Sequence, residues 1–330
     1  MRRIVFATSL GLLVWACTPE PQDLDVLLEE RLASTSPSNS ASGYLLPDSE
    51  DLASIPQDPN NPLTAEKVAL GQLLYHETGI AVNPKYASNE GSYSCASCHH
   101  AAGGFQAGRV QGIAEGGIGF GSFGEGRDRN PDIPGDSLDV QPIRSPSVLN
   151  AAYQEVMLWN GQFGATGLNA GTEASWTEAT PKFNNYLGYE GVEIQAIAGL
   201  TVHRMGVNEE LFQATEYQAL FDAAFPDLGE DERISLETMG LAIAAYERTI
   251  LANQAPFQQW LKGDHTALTE SQKYGAMLFF DKAGCYSCHN GPSLANMEFH
   301  ALGMGDLEAG GTYGPGVDDA TKYGRGGFTG

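Results

Sequence analysis

Two pentapeptides of one spacing, Cys95-Ala96-Ser97-Cys98-His99 and Cys285-Tyr286-Ser287-Cys288-His289, use four of the chain's five cysteines. Cys-X-X-Cys-His is the attachment pattern of c-type haem. Two thiols one turn apart can each add to a vinyl group of the same rigid macrocycle, and the adjoining imidazole reaches the iron. One copy could arise by chance. Two copies point to two covalently bound c-type haems, with His99 and His289 as the proximal iron ligands.

The fifth cysteine has its own context. Arg2 and Arg3 precede an apolar run at 4–15, the pattern of a secretory signal, and the run is too short to span a bilayer as a helix. It ends Val14-Trp15-Ala16-Cys17, which is similar to a bacterial lipobox and makes Cys17 the lipidated residue. Residues 1–17 are expected to form a lipoprotein signal peptide. The protein is then expected in the periplasm or cell envelope, touching a membrane only through a lipid anchor, at the outer membrane. With 41 Asp+Glu against 18 Lys+Arg, the formal net charge is −23. Nucleic-acid phosphates would repel such a surface. A basic or neutral electron donor suits it.

The elements that must carry these motifs follow from pattern. Residues 18–60 are rich in Ser, Pro, Asp and Glu, with a low-complexity patch at 34–42, and read as a flexible tether. Beyond them a unit recurs. Leu63-Thr64 leads through Gly71-Gln72-Leu73-Leu74-Tyr75 to the first motif, and Leu268-Thr269 leads through Gly275-Ala276-Met277-Leu278-Phe279 to the second. Thr269 and Gln272 form a capping-box pattern, with Leu268, Met277, Leu278 and Phe279 expected along one haem wall. Periodicity predicts helices at about 190–202, 208–223 and 235–252, the last with Ser235 as its cap. No long alternating β pattern occurs. The expected fold is mainly α, with two cytochrome c-like haem domains in tandem at 61–262 and 263–330.

Residues 103–126 hold ten glycines, including Gly119-X-Gly121-X-X-Gly124. A dinucleotide fingerprint needs a strand before it and a helix after it. Neither is predicted, so the stretch reads as a mobile loop near the first haem.

In these features the chain resembles the bacterial dihaem cytochrome c peroxidase family, which includes the MauG-type enzymes. The resemblance covers most of 62–330. Arg144-Ser145-Pro146-Ser147-Val148-Leu149-Asn150 is similar to the family's Arg/Asn-X-Pro-X-Leu-Leu-Asn, and Leu158-Trp159-Asn160-Gly161-Gln162 to its Phe-Trp-Asp-Gly-Arg. Ala242–Ile250 resembles the helix leading to the second domain, and Gly263-Asp264, Asn290-Gly291-Pro292 and Phe299-His300 continue the match. The resemblance implies a peroxidatic haem at His99 and an electron-input haem at His289. It implies Trp159 as the relay between them, against the plainer reading of a core aromatic.

The departures from the family bear on mechanism. Gln195 fits the family's glutamine, but Arg204 stands where its catalytic glutamate is expected, in His203-Arg204-Met205-Gly206. Arginine stays protonated and cannot be a base; it can stabilise developing negative charge. His203 can take the proton. The segment 163–190 is longer than the family's and holds Trp176, Tyr186 and Tyr189. Arg144 replaces the family's asparagine ligand to calcium, which counts against that ion. The family's Leu-Arg-Asn and Pro-Tyr-X-His-Asp-Gly segments are missing after Gly330, so the second domain is expected to be incomplete.

The resemblance therefore implies a cytochrome-c peroxidase-type oxidoreductase reducing hydrogen peroxide to water, with electrons from a small cytochrome c or cupredoxin. Two alternatives stand beside it. One is a MauG-like oxidase modifying aromatic residues of a partner protein; the other is a pure electron-transfer dihaem cytochrome.

Overall fold

The computed structural model describes residues 23–303, 313–314 and 316–330. The signal peptide 1–17 and Cys17 lie outside the described residues. Ten α-helices and one two-stranded sheet are present among them, so the fold is mainly α as expected. No described helix is long and apolar enough to cross a membrane.

The larger body is built on three helices: α2 (Ala65–His76), α3 (Gly191–Val202) and α6 (Leu236–Thr249). Thr64 caps α2 by accepting from Lys67 N, and Ser235 caps α6 in a box with Thr238, each satisfying amides the helix start leaves open. Glycine sets the distance between helices. A Cβ on Gly71 would collide with the Ala242 carbonyl, and one on Gly240 would collide with Ile197. Leu70, Leu74, Tyr75, Ile194, Leu200 and Ile243 fill the resulting core.

Arg248 on α6 is fully buried. It donates Nε to Glu193 Oε1 (2.8 Å) and Nη2 to Glu193 Oε2 (2.6 Å) and Glu190 Oε2 (3.0 Å). A buried guanidinium is tolerated when fully paired in this way. The helix predicted over 208–223 is two, α4 (Glu209–Ala214) and α5 (Tyr217–Ala224), with Thr215 extended between them.

The smaller body holds α7 (Pro256–Leu261) and α8 (Glu270–Phe279), the latter with the expected Thr269–Gln272 capping box. Its core corrects the reading of 18–60 as a flexible tether. Residues 24–35 form α1 (Leu24–Thr35), whose buried Leu28 and Leu32 pack with Tyr44 against Trp260, Leu268 and Phe280. Asp25 of α1 accepts from Trp260 Nε1 (2.6 Å) and pairs with Lys273 Nζ (2.6 Å). Leu24, Leu28 and Leu32 recur every four residues, one helical stripe inside a polar composition. The apolar stripe outweighs the average.

The glycine-rich stretch also differs from expectation. It is packed rather than loose, with Gln111, Ile113, Ala114, Glu115 and Arg127 buried. Its tip is an antiparallel pair, β1 (Gly117–Ile118) with β2 (Asp128–Arg129). A strand follows the Gly119–Gly124 match where a nucleotide site needs a helix. Two further helices, α9 (Asp319–Lys322) and α10 (Gly324–Thr329), end the chain.

Candidate haem centres

The first motif forms a tight turn at Cys95–Ser97, held by Ser94 N donating to Ser97 Oγ (3.1 Å) and Ser97 N donating to the Ser94 carbonyl (3.0 Å). Both thiols and His99 line one cavity. His99 Nδ1 donates to the Phe105 carbonyl (3.1 Å), which fixes the tautomer and leaves Nε2 with its lone pair for a metal. Desolvation by the surrounding chain holds the His99 imidazole below its ordinary pKa and pushes the Cys98 thiol up to about 12. A neutral imidazole and two un-ionised thiols sharing a cavity fit a covalently attached haem.

The facing wall comes from α3, the turn after it, and α6: Gln195, Gly199, Leu200, His203, Met205, Ile243 and Glu247. Gln195 and His203 therefore stand together on one wall. His203 Nδ1 lies 2.9 Å from Asp139 Oδ2, and its Nε2 lies 3.1 Å from the amide nitrogen of Gln141. An amide nitrogen only donates, so Nε2 accepts and Nδ1–H donates to Asp139.

Arg204 does not reach this wall. Its backbone is left-handed (φ 57°), and its guanidinium turns away to pair with Glu115, which is fully buried. Burial opposes ionisation of Glu115. Hydrogen bonds from the Lys85 and Tyr86 amides, Asn89 and Arg204 outweigh it and hold the carboxyl below its ordinary range. The residue in the family's glutamate position is thus a tie between the turn after α3 and the glycine-rich stretch.

Trp159 is 52% exposed, which excludes the core-aromatic reading. A Cβ on Gly324 would sit 3.3 Å from its Nε1, so the indole lies against α10. Arg325 of α10 donates to Gly161 O (3.1 Å) and Asn169 Oδ1 (2.6 Å) and covers the Phe299 ring (5.1 Å). Trp159 therefore marks the seam between the first body and the segment after the second motif. Arg144 donates Nε to Ala107 O (2.9 Å), so a cation fills the position where the family's calcium ligand is expected.

Around the second motif, Gly284 (φ 69°) lets the chain turn into Cys285–Ser287. His289 Nδ1 pairs with the Leu294 carbonyl at 3.1 Å, repeating the arrangement at His99, and Phe279 lies 5.9 Å from its ring. His289 is exposed. Of the expected wall residues, Leu268 is buried, Met277 and Phe279 are partly buried and Leu278 is exposed.

Sequence reasoning missed Asp139, Gln141, Ser145 and Glu247. Ser145 Oγ and Glu247 Oε2 are buried without a hydrogen-bond partner, and both residues line the first cavity. Burial, with Glu193 nearby, pushes Glu247 up to about 8 against the pull of Arg248. Orphaned buried polar atoms around one cavity signal a missing guest. The one available signal was Glu247's place beside Arg248 in the matched helix.

A family profile described as di-haem cytochrome c peroxidase matches residues 65–266. The methylamine utilization protein MauG of Methylorubrum extorquens is 30% identical over 251 residues, 76% of this chain and 57% of that one. Cytochrome c551 peroxidase of Pseudomonas aeruginosa is 28% identical over 243 residues, 74% of this chain and 56% of that one. A solved MauG-like protein associated with microbial copper homeostasis gives a TM-score of 0.44 at 23% identity, covering 78% of this chain and 60% of that one. The chain spans somewhat more than half the length of these curated relatives. With the profile covering more than half of it, the chain belongs to the di-haem cytochrome c peroxidase family.

Proposed function

We propose that the chain is the main part of a di-haem c-type cytochrome that reduces hydrogen peroxide to water. One observation carries the reading: Gln195 and the Asp139-supported His203 face the first Cys-X-X-Cys-His across a single cavity. Haem, when bound through Cys95, Cys98 and His99, supplies the oxidisable iron at which peroxide is split. The protein supplies proton handling. Converting peroxide to two waters takes up two protons and two electrons. Peroxide displaces Gln141 at His203 Nε2, which takes the proton from the near oxygen and returns it to the departing one. Asp139 stabilises the imidazolium formed meanwhile, and Gln195 orients the peroxide. Arg204 serves by holding the turn that carries His203.

Cys285, Cys288 and His289 hold the second haem, where a small cytochrome c or cupredoxin delivers electrons, and Trp159 relays them. The two domains are 61–262 and 263–330, the second an incomplete domain with α1 packed into its core. Cys17 anchors the protein in the cell envelope by lipidation.

The exposed Trp159 favours a second reading, in which a partner protein gives up electrons from an aromatic residue at this point, as in MauG-type chemistry. Holoprotein mixed with peroxide and a reduced donor cytochrome distinguishes them. Fast donor oxidation supports the peroxidase. Slow donor turnover with lasting haem oxidation supports the second reading, and inertness leaves a pure electron carrier.

A further inference from the structure

Arg127 is a buried cation without an anion. It is 2% exposed and sits just before β2, and no carboxylate lies within ion-pair distance of it among the described residues. Its Nε donates to the Ile113 carbonyl and its Nη2 to the Ala114 carbonyl (2.7 Å), while Nη1 has no acceptor among the described residues. Phe120 covers one face at 5.3 Å. Carbonyls satisfy N–H groups but do not neutralise charge, and burying an uncompensated cation is unfavourable. The fully buried Arg248 is treated differently, meeting Glu193 and Glu190, and even the part-exposed Arg204 meets Glu115.

The place of this charge identifies its partner. Ala114, whose carbonyl holds Arg127 Nη2, lines the first cavity together with Cys98. The glycine-rich stretch is shaped around it: a Cβ on Gly117 would come within 2.7 Å of Arg127 Nε. A haem brings two propionate carboxylates, and planar guanidinium forks suit carboxylates.

We propose that Arg127 anchors a propionate carboxylate of the first haem. The proposal rests on the assignment of haem to the first cavity. It gives the glycine-rich stretch a purpose: delivering one positive charge to the edge of that cavity.

Potentiometry of the holoprotein tests it. Haem stays attached through its thioethers, so a pyridine haemochrome count of two per chain is expected in every variant. Arg127→Gln removes a positive charge beside the first haem and is expected to lower its potential selectively, leaving the second unchanged; Arg127→Lys is expected to restore most of the shift. An unshifted first-haem potential in a folded Arg127→Gln variant overturns the proposal. Should that variant not fold, resonance Raman of Arg127→Lys replaces it. A moved propionate bending band supports the anchor and an unmoved one overturns it. A wild-type count below two instead defeats the underlying haem assignment.

Discussion

Around Cys95–His99 residues distant in the chain line a cavity, whereas Cys285–His289 is a turn with its histidine exposed. The two motifs nonetheless fold alike at close range. Each histidine gives its Nδ1 to a carbonyl a few residues downstream at 3.1 Å, Phe105 in one case and Leu294 in the other. The pentapeptide with its following turn therefore orients the imidazole by itself. What surrounds the motif comes from distant chain, and that surrounding is what distinguishes the two motifs.

The largest expected break in this comparison is at His203, a group with no counterpart at the second motif among the described residues. His203→Gln should lower peroxide turnover by about 10²–10⁴-fold, the usual contribution of a positioned acid–base group, with both haems retained. Asp139→Asn should lower it less and alter the pH profile, because it leaves the imidazole in place without its carboxylate. Stopped-flow reduction of peroxide checks both. An unchanged rate in His203→Gln would remove the functional reading of the first cavity.

The smaller body has its own dependence. Leu28 of α1 is fully buried against Trp260 and Phe280, and Leu28→Ala should destabilise that body by about 2–5 kcal/mol. Spectral melting followed separately at each haem should show the second losing its native environment first. Equal melting shifts at both haems would mean that α1 supports the whole molecule.

How much of this was legible beforehand depended on sequence range. His99, His289 and the Thr269 cap were readable because their partners lie within six residues. The direction of Arg204 was not, because Glu115 lies 89 residues away; nor was the support of His203, because Asp139 lies 64 away. The relay role for Trp159 is an expectation from its motif neighbours, whereas its exposure and its place against α10 lie beyond any local pattern. Helix α1 was misread because composition was averaged over a segment whose structure depends on three spaced leucines.

Glu247 offers a pH-dependent contrast, since the second motif has no buried carboxyl beside it among the described residues. Its carboxyl is raised from 4.5 to about 8. A group harder to ionise when folded contributes its full stability below about pH 4.5 and loses it as pH rises through about 8. Glu193 on α3, Arg248 on α6 and Tyr75 on α2 face it. Melting temperature should therefore fall from pH 5 to pH 8 more steeply in the native chain than in Glu247→Gln. Parallel slopes would show that the carboxyl is partnered in the holoprotein.

The finest comparison changes the same atom in both bodies. Thr64 accepts from Lys67 N at 3.2 Å to start α2, and Thr269 accepts from Gln272 N at 3.3 Å to start α8. Removing either hydroxyl should cost about 1 kcal/mol locally. Helix α2 is clamped by Gly71 against α6 and buries Leu70, Leu74 and Tyr75, so Thr64→Ala should leave the helix formed and only lower overall stability. Helix α8 buries only Lys273 along its length. It depends more on its own cap, because packing rather than propensity holds most short helices together. Thr269→Ala should therefore speed amide exchange through α8, while Thr64→Ala leaves exchange in α2 near the global unfolding limit. If both variants speed exchange to the same degree, the second motif is housed as firmly as the first, and the contrast between the two bodies does not hold.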